Sequence, residues 1–485
     1  MKNNLILLAD AYKYSHHKLY YPGTTHIYSY LESRGGKFEK TVFYGLQYFL
    51  KEYLEGIALT QEELDEAVPI MEEVFGRDDV FDPSVFQYII DTHGGRLPVR
   101  IKAVTEGAEI PVSNVLMTIE NTDPNCFWLT NFLETLLMQI WYPCTVATLS
   151  HEIKKLVKRY YDETATEGAE SGIDFVLNDF GFRGVSSVES AGIGGSAHLL
   201  SFSGSDNIAG SVFAKKYYGA ESIPGMSIPA TEHSVCTLLG KEGEQKIYQH
   251  ILDTYPTGTI ACVSDSYNIF EACEKYWGET LRAQVLNRDG TLVIRPDSGD
   301  PVRTLLEIFE ILFNKFGFTT NAKGYRVLPP QIRVIQGDGV NYDAINNMLE
   351  ALKEATISTE NLVLGMGGAL LQKLDRDTQK FAIKCSHAVV NGKEVTVQKN
   401  PVEMDAAGNI SESFKKSKGG KLKLIKTADG YRTVGQSEFP DYKDELITVF
   451  ENGLMRNATT YTSVKQQLAK TLDPASGKMF LSIAQ

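Results

Sequence analysis

An arginine and an aspartate two residues apart in this sequence could bind a sugar phosphate. Arg295 and Asp297 lie in IRPDSGDP, directly after an apolar run that is typical of a buried strand. The guanidinium group carries a fixed fork of donors that matches a phosphate, and the carboxylate could hold ribose hydroxyls or a magnesium ion. The same two residues could instead form an ion pair that caps the next helix, so the motif alone leaves both interpretations open.

Two glycine-rich loops, QGDGV and GMGG, follow the last two predicted strands. Their backbone N–H groups are open to an anion, and a helix N-terminus follows each loop. The glycines are Gly337, Gly339, Gly365, Gly367 and Gly368. Asp338, between two of them, is a potential acceptor for a ribose hydroxyl. Two consecutive loops of this kind favour a phosphomonoester ligand, although either loop alone could be a tight turn.

Three further loops carry side chains suited to a flat ring or a polar ligand. In DFGFRG, Phe180 could stack on a ring beside Arg183, or could belong to the core. Asp206 ends GSD and could cap the helix that follows it. Glu232 and His233 lie in ATEHS, where a histidine with a structural role is the default interpretation.

These loops belong to a repeated strand–loop–helix pattern between about residues 174 and 375. Short apolar runs lead through polar loops into helical stretches, and about seven such units can be counted. Strands that alternate with helices form a parallel sheet. The pattern predicts an α/β fold, an irregular α/β barrel of about seven βα units, with an open doubly wound sheet as the alternative. Both folds bind ligands at the carboxyl ends of the strands.

The two ends of the chain predict a second, mixed α/β domain. Thr60-Gln-Glu-Glu63 is a capping box that opens a helix through about Phe75, and residues near 98–120 alternate as antiparallel strands. Residues 126–161 predict a long apolar helix interrupted near Pro143. Strands and turns return after residue 386. We therefore expect residues 1–145 and 386–485 to form this domain, and residues 146–385 to form the barrel.

The composition argues against several classes of protein. The 485 residues include 61 acidic and 48 basic ones, and the net charge of −13 disfavours nucleic-acid binding. The first apolar run ends before Asp10, which is too short for a signal peptide or a membrane span. Six scattered cysteines suit free thiols in a reducing compartment, and the histidines show no metal-binding spacing. We expect a cytoplasmic protein with no protein-bound metal site and no membrane partner.

Taken in order, the motifs resemble those of the nicotinamide phosphoribosyltransferase family, within the type II phosphoribosyltransferases. They are DAYKYSHHKLYYPGT, TVFYGLQY, ENTDPNCFWLTNFLET, DFGFRGVSS, AGIGGSAHL, GSD, PATEHS, VSDSY, IRPDSGDP, RVIQGDGV and GMGGALLQKLDRD, and they cover nearly the whole chain. The resemblance implies an irregular α/β barrel with a mixed α/β domain. It also implies a homodimer whose two active sites lie at the subunit interface.

The resemblance implies roles for individual residues as well. Phe180 is expected to form one face of a nicotinamide sandwich and the partner subunit's Tyr12 the other, with Asp206 as acceptor for the carboxamide. Nucleotide, ribose and phosphate contacts are expected at Arg295, Asp297, Gly337, Asp338, Gly367 and Gly368. Diphosphate contacts are expected at Arg34, Arg183, His233, Arg376, Lys384 and Lys399. His233 also matches the histidine that family members phosphorylate with ATP.

Three positions depart from the family pattern. Asn178 stands where a histidine is expected, and Ala261 and Ala382 replace serines expected near the ring and diphosphate sites. These changes bear on fine contacts and leave the rest of the constellation in place.

The resemblance implies that the chain makes nicotinamide mononucleotide and pyrophosphate from nicotinamide and phosphoribosyl pyrophosphate. Mg²⁺ is the expected cofactor, ATP an optional coupling substrate, and His233, Arg295 and Asp297 the expected catalytic residues. Nicotinate phosphoribosyltransferase is the nearest alternative. A sugar-phosphate aldolase or isomerase barrel and a non-catalytic signalling protein are the alternatives from other classes.

Overall fold

The computed structural model describes residues 4–404, 410–412 and 416–472, and the chain divides into two compact units. Unit 1 comprises residues 1–148, 217–219 and 375–485, and unit 2 comprises residues 149–216 and 220–374. The sequence placed residues 375–385 in the barrel. They fall in unit 1 because the strand Phe381–Val390 pairs with Thr24–Ser33 there. Residues 1–3, 405–409, 413–415 and 473–485 of the predicted second domain lie outside the described residues.

Unit 2 contains a parallel sheet of six strands. They are β1 (Leu177–Asp179), β2 (Gly204–Ser205), β3 (Ile260–Val263), β4 (Leu292–Arg295), β5 (Ile332–Gln336) and β6 (Leu362–Met366), in the spatial order β2-β1-β6-β5-β4-β3. Residues 226–230 pair in parallel with both edge strands, Met226 with Gly204 and Ala230 with Ala261. The six strands and this bridging segment are the seven predicted units, and they form the irregular barrel that the sequence predicts.

Helices follow the barrel strands and segments. The helices assigned wholly or mainly to unit 2 are Val188–His198, Ile208–Tyr218, His233–Cys236, Glu244–Thr254, Ile269–Glu271 with its wider continuation Ala272–Thr280, Arg282–Leu286, Pro301–Phe316, Tyr342–Glu354 and Gly368–Leu371. A small antiparallel pair joins Thr319–Thr320 to Arg326–Val327.

The helix after β4 shows how the sequence sets these elements. Asp300 accepts a hydrogen bond from Arg303 N at 2.8 Å, and Pro301 occupies the first turn, where no N–H partner is needed. The apolar residues of this helix, Pro301–Phe316, recur at intervals of three and four and are buried. They are Leu305, Ile308, Phe309, Leu312, Phe313 and Phe316. This buried face fixes the helix, and hence the loop that carries Asp297.

Unit 1 is built on an antiparallel sheet of seven strands. In spatial order they are Lys393–Thr396, Phe381–Val390, Thr24–Ser33, Val115–Asn121, Val99–Ala103, Ile447–Glu451 and Leu454–Met455. Asn391 and Gly392 form the two-residue turn between Phe381–Val390 and Lys393–Thr396. Their φ values of 49° and 74° are those that such a hairpin requires. Smaller pairs join Lys40–Val42 to Glu109–Pro111, Val402–Met404 to Ile410–Glu412, and Leu422–Thr427 to Gly430–Gly435.

The helices of unit 1 test two sequence predictions. They are His16–Leu19, Leu46–Phe49 with its wider continuation Leu50–Leu54, Gln61–Phe75, Pro83–His93, Leu129–Phe132, Glu134–Met138 and Tyr461–Ala469. The capping box is confirmed, since Thr60 and Glu63 exchange side-chain to backbone hydrogen bonds of 3.2 and 2.9 Å and the helix ends at Phe75.

The predicted interruption of the following helix near Pro143 lies three residues before that proline. The helix Trp141–Thr164, whose residues divide between the two units, contains Pro143 in its first turn. The missing N–H of proline costs nothing there, and the break falls at residues 139–140. Among the described helices, none combines the length and the apolar run needed to cross a bilayer.

Candidate functional site

A cavity of about 510 Å³ lies in unit 2, among loops at the carboxyl ends of the barrel strands. Its volume suits a small ligand. Nine residues predicted from the sequence line it: Phe180, Arg183, Asp206, His233, Arg295, Asp297, Gly337, Gly367 and Gly368. The other lining residues are Asp179, Phe182, Gly184, Asn207, Glu232, Ser234 and Val263. Loops from distant parts of unit 2 therefore meet in one pocket.

The half-buried Phe180 provides a flat apolar surface in this pocket. Its ring packs against the buried cluster of Ala261, Val293 and Ile335, and the Arg295 guanidinium lies 5.5 Å from the ring centroid. Phe180 N donates to the Met366 carbonyl at 3.0 Å, which holds the loop against β6. An aromatic side chain in this position can contact the core with one face and a ring with the other. Ala261, which replaces the expected serine, contributes a methyl group to the cluster.

Arg295 and Asp297 form an ion pair inside the pocket. Arg295 Nη2 donates to Asp297 Oδ1 at 2.8 Å, and Nε donates to the same oxygen at 3.2 Å. Both side chains are partly exposed, 25% and 22%. The ion-pair interpretation and the ligand-binding interpretation are therefore compatible, because the paired groups remain accessible from the cavity.

Asp265, on the loop after β3, connects the Arg295–Asp297 ion pair to His233. Its Oδ2 accepts hydrogen bonds from Asp297 N at 3.1 Å and Ser298 Oγ at 2.7 Å, and its Oδ1 lies 3.1 Å from His233 Nε2. The His233 side chain is 48% exposed and that of Asp265 is 4% exposed. A nearly buried carboxylate thus orients an accessible imidazole. Asp265 lies in VSDSY and was not identified as a site residue from the sequence, although an acidic residue at a strand end was the available signal.

Asp206 presents an exposed carboxylate at the end of β2. Ser227 Oγ donates to Asp206 Oδ1 at 2.5 Å, and Asp206 N donates to the Asp179 carbonyl at 3.0 Å. The serine comes from the bridging segment, which leaves the second carboxylate oxygen available to a ligand donor. Neither Asp179 nor Asn207, which are buried beside Asp206, was identified from the sequence.

The glycines divide into those that line the pocket and those that shape nearby turns. A Cβ at Gly337 would lie 3.1 Å from Arg295 Nε, so glycine lets the guanidinium approach this loop. Gly368 starts the helix Gly368–Leu371, and a Cβ there would meet nothing within 4 Å. Asp338 does not line the pocket. Its carbonyl accepts from Gln336 Nε2 at 2.8 Å, and Gly339 turns with φ of 67°.

The remaining predicted site residues lie in unit 1. Burial lowers the pKa of Lys384, and the charges of Arg34, Lys399 and Arg376 act in the same direction, against the opposing charge of Glu134. Arg34 Nε donates to Glu32 Oε1 at 2.7 Å. Tyr12 is 58% exposed, with its ring edge-on to His16. The sequence alone could not bring these residues together, and only the family resemblance grouped them.

Asn178 and Ala382, the other two departures from the family pattern, lie on strands. The Asn178 amide donates to the carbonyls of Phe175 and Leu364 at 3.1 and 3.2 Å, and so ties β1 to β6. Ala382 pairs with Glu32 in the sheet of unit 1. Neither side chain lines the pocket.

A group of possible metal ligands lies elsewhere in unit 1. Atoms of His93, Asp123 and Cys126 lie within 4.8 Å of one another, the one such group in the described part of the chain. The Asp123 carboxylate is already engaged by Asn125 N, Tyr88 Oη and His93 Nε2 at 2.8 to 3.0 Å. Burial raises the pKa of the Cys126 thiol to about 12. The contacts are therefore those of a helix cap, and the thiol is not disposed to bind a metal.

Comparison with family models places the chain beside enzymes of pyridine nucleotide metabolism. Residues 175–453 match the model of the nicotinate phosphoribosyltransferase (NAPRTase) family, and residues 4–101 match that of the nicotinamide phosphoribosyltransferase N-terminal domain. A nicotinamide phosphoribosyltransferase of Xanthomonas campestris pv. campestris is 43% identical over 96% of this chain and 97% of its own length. One of Acinetobacter baylyi is 31% identical over the same shares.

Solved structures show the same architecture at low sequence identity. Nicotinate-nucleotide pyrophosphorylase from Pyrococcus furiosus superposes with a TM-score of 0.58 at 13% identity, covering 96% of this chain and 94% of its own. Human nicotinic acid phosphoribosyltransferase superposes with a TM-score of 0.54 at 15% identity, covering 96% and 93%. At these identities the likeness concerns the fold alone.

Proposed function

The chain belongs to the nicotinate phosphoribosyltransferase family, and on that premise we propose that it makes nicotinamide mononucleotide from nicotinamide and phosphoribosyl pyrophosphate. It is a pentosyltransferase with the type II phosphoribosyltransferase fold, and its reaction belongs to the salvage of nicotinamide for NAD. The observation that carries the proposal is that a ring platform, a carboxylate acceptor, a guanidinium group and two glycine loops line one pocket.

Phe180 and Asp206 account for the choice of base. The pyridine ring stacks on Phe180, and its carboxamide NH₂ donates to Asp206, which Ser227 holds from the other side. The same carboxylate repels the negative charge of nicotinate. Like charges in a partly desolvated site cost on the order of several kcal/mol, enough to decide between the two bases.

The phosphoribosyl group is held by the loops after β4, β5 and β6. The N–H groups at Gly337, Gly367 and Gly368 face the 5′-phosphate, where a helix N-terminus favours an anion. Arg295 supplies a forked donor, and Asp297 is the acceptor for ribose hydroxyls. The ion pair between them holds both groups in place before the substrate binds.

Transfer requires displacement at the anomeric carbon. The pyridine nitrogen forms a bond to this carbon as the bond to pyrophosphate breaks, through an oxocarbenium-like state. The protein orients the ring and stabilises the growing charge on the leaving group, so no covalent protein nucleophile is needed. Arg183 and His233 take this second role in unit 2, and the cluster of Arg34, Arg376, Lys384 and Lys399 receives the diphosphate.

Magnesium fits this site as an ion carried by the substrate. Asp265 is already engaged by His233 and Ser298, and Asp297 by Arg295, so the described residues of the pocket form no ready-made cage of carboxylates. Mg²⁺ commonly binds through substrate phosphates and only one or two carboxylates, and Asp297 is the side chain that could reach it. When bound, the ion would neutralise charge on the diphosphate.

ATP coupling through His233 is part of the proposal. Asp265 accepts from the Nε2–H of His233 in the tautomer that this pairing favours. Nδ1 then keeps its lone pair and is the atom that takes the γ-phosphoryl group, with ADP as the leaving group. Hydrolysis of the phosphohistidine after each turnover would make the overall synthesis more favourable.

A homodimer with shared active sites is also proposed. Apolar side chains on elements next to the pocket are exposed in the single chain: Ile208, Val212, Ile223, Met226, Ile228, Val235 and Leu238. Exposed apolar surface of this kind is typical of a subunit interface. In the dimer the partner subunit's Tyr12 would cover the second face of the pyridine ring. A cytoplasmic location is proposed as well, since all six cysteines are free thiols.

One assay separates this function from its alternatives. The pure protein is incubated with phosphoribosyl pyrophosphate, Mg²⁺ and either nicotinamide or nicotinate, with and without ATP, and the mononucleotides are separated by chromatography. Formation of nicotinamide mononucleotide is expected. Product from nicotinate alone would identify a nicotinate phosphoribosyltransferase, and no product from either base would reject the proposal. A Schiff-base aldolase is disfavoured already, because no lysine occurs among the described residues lining the pocket.

A further inference from the structure

We infer that Asp179 is a positioning residue that sets the selectivity of the nicotinamide site. Its carboxylate joins the loop that carries the ring platform to the loop that carries the carboxamide acceptor, and it places a second negative charge behind Asp206. The inference deepens the proposed function and rests on it.

The contacts of Asp179 run in both directions from the end of β1. Its Oδ1 accepts a hydrogen bond from Gly181 N at 2.7 Å, in the loop that begins with Phe180. Its Oδ2 accepts from Asn207 Nδ2 at 2.9 Å, and its main-chain carbonyl accepts from Asp206 N at 3.0 Å. One residue therefore sets the spacing between the ring surface and the acceptor carboxylate.

Asn207 is itself held by further hydrogen bonds, which fix the position of its contact with Asp179. Its Nδ2 also donates to the Ala191 carbonyl at 2.9 Å, and its main-chain N donates to Ser205 Oγ at 3.0 Å. Asn207 is 1% exposed, and its Oδ1 has no hydrogen-bond partner among the residues that the structure describes. An asparagine that leaves its acceptor unpaired and directs its donor to Asp179 shows which polarity this contact requires.

Asp179 belongs to the lining of the pocket but is withdrawn from solvent. Its side chain is fully buried, with 0% exposure, so we place its effect on a ligand mainly in the positions of Phe180 and Asp206. Burial, and to a smaller extent the Asp206 charge, raises the pKa of Asp179. The neutral carboxamide of nicotinamide is repelled little by the negative charges of Asp179 and Asp206. The carboxylate of nicotinate meets both charges, so Asp179 adds to the discrimination by Asp206.

Three variants separate the effect of the hydrogen bond between Asp179 and Asn207 from the effect of the charge on Asp179. Asp179→Asn removes the charge and replaces one of two acceptor oxygens with an NH₂ group, which then faces either Gly181 N or Asn207 Nδ2. Asn207→Ala removes the hydrogen bond and keeps the charge. The double exchange Asp179→Asn with Asn207→Asp moves the carboxylate across the contact and restores a donor–acceptor pair between the two residues, at the loss of the hydrogen bond to the Ala191 carbonyl. Steady-state constants for nicotinamide, nicotinate and phosphoribosyl pyrophosphate are measured for each, with melting temperatures.

Asp179→Asn is expected to raise KM for nicotinamide about tenfold, the worth of one charge-assisted hydrogen bond. The preference for nicotinamide over nicotinate should fall by a similar factor, while KM for phosphoribosyl pyrophosphate stays within about twofold. Asn207→Ala should raise KM for nicotinamide and retain more of the preference. The double exchange should recover part of both the KM for nicotinamide and the preference, because the carboxylate introduced at residue 207 cannot donate to the Ala191 carbonyl.

A folded Asp179→Asn with an unchanged preference and unchanged KM for nicotinamide would overturn the inference. Equal losses for both bases and for phosphoribosyl pyrophosphate would also overturn it, because they indicate a general structural role. If Asp179→Asn does not fold, Asn207→Ala and the double exchange decide by the same criteria. The wild type is the control: without nicotinamide mononucleotide from it, the proposed function fails, and the inference falls with it.

Discussion

The ring of Phe180 occupies the space that a side chain at residue 365 would need. A Cβ built on Gly365 would lie 2.1 Å from Phe180 Cε2, closer than real Cβ contacts occur. Gly365 is buried in β6 and does not line the pocket. Gly365, which the sequence places in an anion-binding loop, therefore makes room for the Phe180 ring. As a result, β6 supports the site of the base as well as that of the phosphate.

Replacing Gly365 with alanine should displace the Phe180 ring. We expect KM for nicotinamide to rise at least about tenfold and stability to fall by about 1–3 kcal/mol, the usual cost of overpacking. Kinetics and urea unfolding measure the two effects. Gly172→Ala is the matched control, since a Cβ there meets nothing within 4 Å. A Gly365→Ala variant that behaves like this control would contradict the assigned role of the ring.

The charge of Asp206 should decide between the amide and the acid. Asp206→Asn removes the repulsion of nicotinate and offers it a donor, so the preference for nicotinamide should fall at least about tenfold. Ser227→Ala is the control, because it removes the hydrogen bond to Asp206 and keeps the charge. Ratios of kcat/KM for the two bases measure the effect. An unchanged ratio in Asp206→Asn would refute the role.

Arg295 should contribute mainly to turnover. Arg295→Ala removes a cation next to the ring and leaves Asp297 without its partner, so kcat should fall at least about a hundredfold. Arg295→Lys keeps the charge without the fork and should recover only part of the rate. Single-turnover measurements separate chemistry from product release. Near-normal turnover in Arg295→Ala would exclude this role.

The sequence predicted the barrel well because each strand end repeats one local pattern. Even residues 226–230, which form only isolated bridges, were recognised as a unit, since the apolar run and polar loop do not depend on strand length. The contact between His233 and Asp265 could not be predicted, because 32 residues separate them and their loops meet only in the folded barrel. Asp179 was missed for a related reason. Its carboxylate accepts a hydrogen bond from Asn207, 28 residues away, which the sequence presents as an ordinary residue after GSD.

His233 should carry an acid-labile phosphate after incubation with ATP. Radiolabel from γ-labelled ATP is expected on the wild type and should be absent from His233→Ala. Asp265→Asn should reduce labelling without abolishing it, because the imidazole keeps its nucleophilic nitrogen and loses its orienting carboxylate. The label should survive base and disappear in acid. Equal labelling of the wild type and His233→Ala would show that another residue is phosphorylated.

The ionisation of Asp179 should make stability depend on pH. Burial, with a smaller contribution from the charge of Asp206, raises the pKa of Asp179 from 3.8 to about 6. Between these values the native state binds more protons than the unfolded state. The free energy of unfolding should therefore fall as pH rises through this window, by about 3 kcal/mol at most for a shift of this size.

The variant Asp179→Asn isolates this effect, because its side chain does not titrate. Relative to the wild type, its free energy of unfolding should be larger at about pH 7.5 than at about pH 4.5, so the variant is comparatively more stable at the higher pH, whatever fixed cost the new amide adds at both. Urea unfolding of both proteins at the two pH values measures the change in this difference. A difference that stays constant with pH would show that the buried carboxylate keeps its ordinary pKa, because a group with equal pKa in both states makes no contribution to the slope.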